Sequence, residues 1–143
     1  MRALLYAGIA AAVLVGCGQR EEQLVVTDAW TRPTPAGRTE AAIYLTVVNH
    51  TASADRLLAA SSPACMVVTP HLTEIVNGVA TMTESGGDEL DVGSGGRLVM
   101  EPNGMHLMCL GLSEELIIGG SFSATLTFAN AGDVVIDVAV EQR

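Results

Sequence analysis

The chain has no lysine. All seven of its basic residues are arginines, set against 16 Asp and Glu, and the formal net charge is -9 over 143 residues. A nucleic-acid binder needs a basic footprint to neutralise phosphates, so that class is excluded. Aromatic residues make up only 3% of the chain, too few for a platform that stacks bases or sugars. Charged residues are also sparse, at 16%, and hydrophobic ones reach 49%, which excludes a chain disordered by composition. The length fits one domain, or one domain with a tail, and is too short for a multi-domain enzyme. Catalytic signatures are missing as well. There is no Gly-x-Ser-x-Gly, no His-Glu-x-x-His and no Gly-x-x-x-x-Gly-Lys, and no Ser, His and Asp spacing singles out a triad. The acidic pairs Glu21-Glu22 and Glu114-Glu115 read as solvated charge. An enzyme therefore has no positive support. With three Cys, three His and six Met, any chemistry rests on very few side chains.

The N-terminus reads as a targeting segment. Arg2 supplies a short positive region, and the apolar run from Ala3 to Val15 is shorter than the ~20 residues a membrane-spanning helix needs. It suits the hydrophobic region of a signal peptide. The run ends in Leu14-Val15-Gly16-Cys17, which resembles the lipobox of bacterial lipoproteins. That resemblance implies cleavage before Cys17, acylation of Cys17, and a periplasm-facing lipoprotein of the cell envelope. Gly18, rather than Asp, follows the cysteine, as in lipoproteins sent to the outer membrane, and the inner membrane remains open. Residues 18–23 are polar and form a short tether. The expected organisation is a signal peptide over 1–16, an acylated cysteine with its tether over 17–23, and a β-domain over 24–143.

From Leu24 onward, Val-, Thr-, Ile- and Leu-rich runs alternate with Gly, Pro, Asn, Asp and Ser clusters, which predicts an all-β sandwich or barrel. Strands are expected over 24–30, 40–49, 55–60, 66–75, 79–83, 97–101, 105–112, 121–129 and 133–141. Asn77-Gly78 is the strongest hairpin signal, because a type I′ turn wants positive φ at both central positions. In Ser121–Ala129, Phe122, Ala124, Leu126 and Phe128 face one way and the hydroxyls the other. Val134, Ile136, Val138 and Val140 repeat the rule, so both strands are half-buried.

The soft side chains then stand out. Alternation puts His106 and Met108 on one face of a strand, about 7 Å apart along it. A hairpin centred on Asn77-Gly78 brings positions 71–73 across from 82–84, making His71 and Met82 near neighbours. Two imidazoles and two thioethers would then meet. Thioethers are poor ligands for hard ions and good ones for Cu(I), and imidazole serves copper in either oxidation state. The set favours Cu(I) and leaves Cu(II) open. Taken singly, each residue also has an ordinary reading, since a strand methionine is usually core. His50 reads as a strand end or turn.

With these residues in place, the chain resembles the periplasmic copper chaperones known as PCu(A)C. Their ligand pattern is His, ten residues, Met, about twenty-one residues, then His-x-Met. Here ten residues separate His71 from Met82, and twenty-three separate Met82 from His106-Leu107-Met108. The flanks match too: Asp28-Ala29-Trp30-Thr31-Arg32, Ala41-Ala42-Ile43-Tyr44-Leu45, Asp55-Arg56-Leu57, Ala60-Ser61-Ser62-Pro63, Gly104-Met105 and Leu126-Thr127-Phe128. The resemblance covers about residues 24–141. It implies a cupredoxin-like Greek-key β-barrel with one copper ion on His71, Met82, His106 and Met108. It also implies delivery to the copper-bearing subunit of cytochrome c oxidase, at its dinuclear centre, alongside Sco-type proteins. Two departures stand against it. Many members carry His-x-Met at the first histidine, where this chain has His71-Leu72-Thr73, and the two extra residues fit the Gly-rich stretch 84–96.

Cys65 and Cys109 lie outside that motif. Three readings stay open: a disulfide, as an oxidising compartment favours; two buried thiols; or Cys109 as a copper ligand, against which strand alternation speaks. A lipid-anchored β-domain with a structural or protein-interaction role and no metal is the alternative function, and a redox role for the cysteine pair is a third.

Overall fold

A computed structural model of the protein describes residues 23–143. The expected signal peptide 1–16, Cys17 and the tether through Glu22 lie outside the described residues. The fold is all-β. Its strands are β1 (Leu24–Thr31), β2 (Glu40–Asn49), β3 (Asp55–Ser61), β4 (Cys65–Val76), β5 (Val79–Glu84), β6 (Asp91–Val92), β7 (Arg97–Met100), β8 (Met105–Leu112), β9 (Ser121–Phe128) and β10 (Gly132–Val140). A 3-10 turn at Gly87–Leu90 is the one helical element among the described residues.

Seven strands close a barrel in the order β4-β8-β2-β1-β10-β9-β3. The ring closes through a single backbone pair, Ala60 with Val68, between β3 and β4. β1 and β10 run parallel, while the remaining neighbours are antiparallel. Chain-distant neighbours such as β2 and β8 give the Greek-key connectivity of a cupredoxin-like barrel. β5, β6 and β7 hang on the ring as extensions of β4, β3 and β2.

Alternation builds the interior. Ile43, Leu45 and Val47 of β2, Leu107 and Cys109 of β8, Ala124, Leu126 and Phe128 of β9 and Val138 of β10 fill one buried cluster. Each large side chain stabilises the fold by about 1.5–3 kcal/mol through removal from water. The Gly-rich stretch 84–96 does more than absorb length. Its 3-10 turn and β6 carry Leu90 and Val92 into the same cluster. A two-residue strand has no periodicity to read, so the sequence showed only a loop there.

Two local features fix the strands that matter most. The β4–β5 turn places Asn77 at φ 52° and Gly78 at φ 79°, the left-handed pair that a type I′ hairpin requires. Cys65 and Cys109 form a disulfide between β4 and β8, with Cα atoms 5.4 Å apart. Cys109 is fully buried within the core cluster, so its sulfur belongs to the interior.

Candidate metal centre

The registers bring the candidate residues together on the outer face of the sheet. β4 and β8 pair so that His71 sits directly opposite His106 and Thr69 opposite Met108. β4 and β5 pair so that Thr73 opposes Met82 and His71 opposes Glu84. Directly paired residues share a face, as do residues two apart on one strand. His71, Met82, His106 and Met108 therefore share one face, with Met82 diagonal to His71 rather than opposite it. Leu107 and Cys109 point the other way, into the core.

This face is buried at His106 and Met108, half-buried at His71 and open around the hairpin. His106 is 2% exposed and Met108 9%, whereas Met82 is 51% exposed. The row continues across the sheet. The Tyr44 ring lies 6.1 Å from that of His106, and the Trp30 ring packs against Tyr44 at 4.7 Å, tilted by 41°. Arg143 and Arg32 lie over the Trp30 ring at 4.9 and 5.8 Å. These aromatic walls shield one side of His106 from water. Sequence reasoning noted Trp30 and Tyr44 only as flanking matches. Their position beside the histidine follows from the β1–β2–β8 order, which is non-local.

The hydrogen bonding of the two imidazoles is unusual. Each uses one ring nitrogen and leaves the other buried without a partner: Nδ1 of His71 and Nε2 of His106. His106 Nδ1 lies 3.0 Å from the Gly104 carbonyl oxygen, and His71 Nε2 lies 3.1 Å from the Thr69 hydroxyl. An unpaired buried polar atom costs about 1–3 kcal/mol, so two on facing rings call for a reason. The ring centroids are 6.1 Å apart. That spacing leaves room for one ion held between two ring nitrogens at the ~2 Å typical of imidazole–metal bonds. No cluster of three or more His, Cys, Asp or Glu suited to a metal occurs among the described residues. A hard ion thus lacks its oxygen-rich cage, and the donor side chains on this face are the two imidazoles, the Met82 and Met108 thioethers and, opposite His71, the Glu84 carboxylate.

His50 lies elsewhere. It is exposed just after β2 and donates its backbone N–H to the Gln23 carbonyl, as a strand end would. Among the other methionines, Met100 is buried in the core, Met105 packs against the core and Met66 is exposed.

Known proteins agree with this architecture. The fold is that of PCuAC domains. The copper-bound PCuAC domain from PmoF2 superposes with a TM-score of 0.68 at 27% identity, covering 85% of this chain and 94% of that one. The apo protein DR1885 from Deinococcus radiodurans gives 0.64 at 22% identity, over 100% of this chain and 95% of that one. In sequence, a family model described as "Putative lipoprotein LpqE-like" matches residues 24–140. "Putative lipoprotein Lxx21020" of Leifsonia xyli subsp. xyli (strain CTCB07) is 30% identical over 125 residues, covering 87% of this chain and 73% of the relative. The chain belongs to the LpqE-like family.

Proposed function

We propose that this domain is a copper chaperone of the cell envelope. It holds one copper ion, mainly as Cu(I), and passes it to cuproenzyme assembly, at the dinuclear copper centre of cytochrome c oxidase and alongside Sco-type proteins. The observation that carries the reading is a pair of buried imidazole nitrogens without hydrogen-bond partners, on residues directly opposite each other in register and on the face shared with Met82 and Met108. The copper-bound PmoF2 domain of the same fold supports it. His71 and His106 supply the nitrogen donors, and Met82 and Met108 the thioethers. Neutral thioethers bind Cu(I) well and exchange readily, which suits a carrier that must release its cargo.

The domain works by binding and delivery, with no catalytic step. An acyl chain on Cys17 would hold it at a membrane, facing the periplasm, and the relative from Leifsonia xyli is itself named as a lipoprotein. The test is an anaerobic titration of the purified protein with Cu(I) against a chromophoric competitor. One equivalent should bind tightly in the native protein and be lost in His106→Ala. A native protein that does not compete for Cu(I) would defeat the reading and leave a metal-free envelope β-domain.

A further inference from the structure

The two histidines differ in which nitrogen is engaged. The Gly104 carbonyl can only accept, so the bond from His106 Nδ1 fixes the proton on Nδ1 and leaves Nε2 as a bare lone pair. That carbonyl also accepts the Thr73 backbone N–H at 3.1 Å, which ties it to β4 and holds it in place. His71 is the mirror case. Its Nε2 meets the Thr69 hydroxyl, and the buried unpaired atom is Nδ1. A hydroxyl can donate or accept, so two tautomers of His71 satisfy this contact. If Nε2 carries the proton and donates to Thr69, then Nδ1 is a second bare lone pair. If the hydroxyl donates instead, Nδ1 carries a buried proton with no acceptor, which is the costlier arrangement in a site that gathers cations.

We infer that Thr69 is a positioning residue that sets the tautomer of His71, so that His71 binds the metal through Nδ1 while His106 binds through Nε2. This rests on the metal site proposed above. Thr69 lies two residues before His71 on β4, so its side chain stands on the same face one step along the strand. It sits directly opposite Met108 and pins the imidazole from the β4 side while Gly104 pins its partner from the β8 side. A metal-bound histidine commonly directs its other ring N–H to such an outer partner, and loss of that partner costs about 10–100-fold in affinity. Thr69 should act in this way, and serine should replace it.

Long-range proton–nitrogen NMR spectra of the copper-free protein, labelled with 15N-histidine and recorded on the neutral imidazoles, test the tautomers. The His71 signals are assigned by their loss in His71→Gln. The inference expects His71 protonated on Nε2 and His106 on Nδ1. Addition of Cu(I), which is diamagnetic, should then shift Nδ1 of His71 and Nε2 of His106. Thr69→Val should mix the His71 tautomers and weaken Cu(I) binding about 10–100-fold. Thr69→Ser should restore both. Finding His71 protonated on Nδ1, or Thr69→Val with native tautomers and affinity, overturns the inference. The copper-free spectra need no metal binding, and the only variant that the tautomer assignment of the native protein uses is His71→Gln. A native protein that binds no Cu(I) would sink the functional reading while the spectra still report on the role of Thr69.

Discussion

The two sides of the candidate centre are built differently. On one side, β8 is paired along both edges, to β2 and to β4, and its Cys109 is tied by the disulfide to β4. His106 and Met108 sit on that braced strand and are buried. On the other side, β5 pairs only with β4, and all six of its residues are exposed. Met82 is carried there, among the exposed Ile75, Val76 and Val79 of the same hairpin. Few buried contacts and an unpaired edge mark a segment of low local stability. The contrast puts one candidate imidazole and one candidate thioether on the braced strand, and the other candidate thioether on an exposed flap at the sheet edge.

The largest effect should come from removing the brace. Replacing both Cys65 and Cys109 by Ala opens a loop whose ends are 44 residues apart in sequence. The chain-entropy model puts the loss at about 4 kcal/mol, read as a lower midpoint in urea with a steeper slope, because the unfolded chain is less compact without the cross-link. Cu(I) affinity measured on the folded fraction should fall too, because the braced side no longer holds its register. Undiminished affinity would show that β8 is positioned by its strand neighbours alone.

A second effect concerns the barrel away from the metal face. The Asp55 carboxylate accepts backbone N–H groups of Arg56 and Asn130 on one oxygen and of Ala131 on the other, at 2.8 to 2.9 Å. Burial raises its pKa, but these bonds together outweigh burial and hold it below the ordinary aspartate value. A depressed folded pKa contributes stability that is full above the unfolded value, about 3.9, and is lost as pH falls through the lower folded one. Urea midpoints should therefore drop on acidification through that window. Asp55→Asn sets an amide NH2 against one of the backbone donors. It should cost about 1–3 kcal/mol at neutral pH and weaken the acid dependence. Cu(I) titration of this variant should match the native protein, and a change would mean that the two regions are coupled.

The smallest stability effects, and the sharpest contrast, belong to the two methionines. Met108→Leu conserves volume at a buried site and should cost less than about 1.5 kcal/mol. Met82→Leu is exposed and should stay within about 0.5 kcal/mol. Both should weaken Cu(I) binding. Stopped-flow transfer to a chelator should show the faster release in Met82→Leu, since the flap alone has lost its grip. Equal release rates in the two variants would erase the distinction between strand and flap.

Much of this was legible in the chain. Strand positions followed from alternation, and the hairpin from Asn77-Gly78, because both signals are local. The shared face of His106 and Met108 needed only the period of a strand. The facing of His71 and His106 could not be read in this way, since it depends on β4 and β8 meeting across the barrel. Leu90 and Val92 hid in a stretch whose glycines suggested a loop. The bond between Thr69 and one imidazole nitrogen depends on side-chain geometry that no spacing encodes. Tyr44 is a related case. It is buried on the outer face of β2, against the alternation that fills the inside, because it lies between the rings of Trp30 and His106.

The disulfide and the filled barrel have a thermodynamic consequence. In a small zinc domain the metal supplies the folding free energy, so removing the ion unfolds the protein. Here the interior is packed and the strands are cross-linked by groups that touch no ion, so the empty form keeps its shape. Occupancy and architecture are thereby uncoupled: a cargo ion can depart toward a tighter binder without its carrier unravelling, and the emptied carrier is ready for the next load.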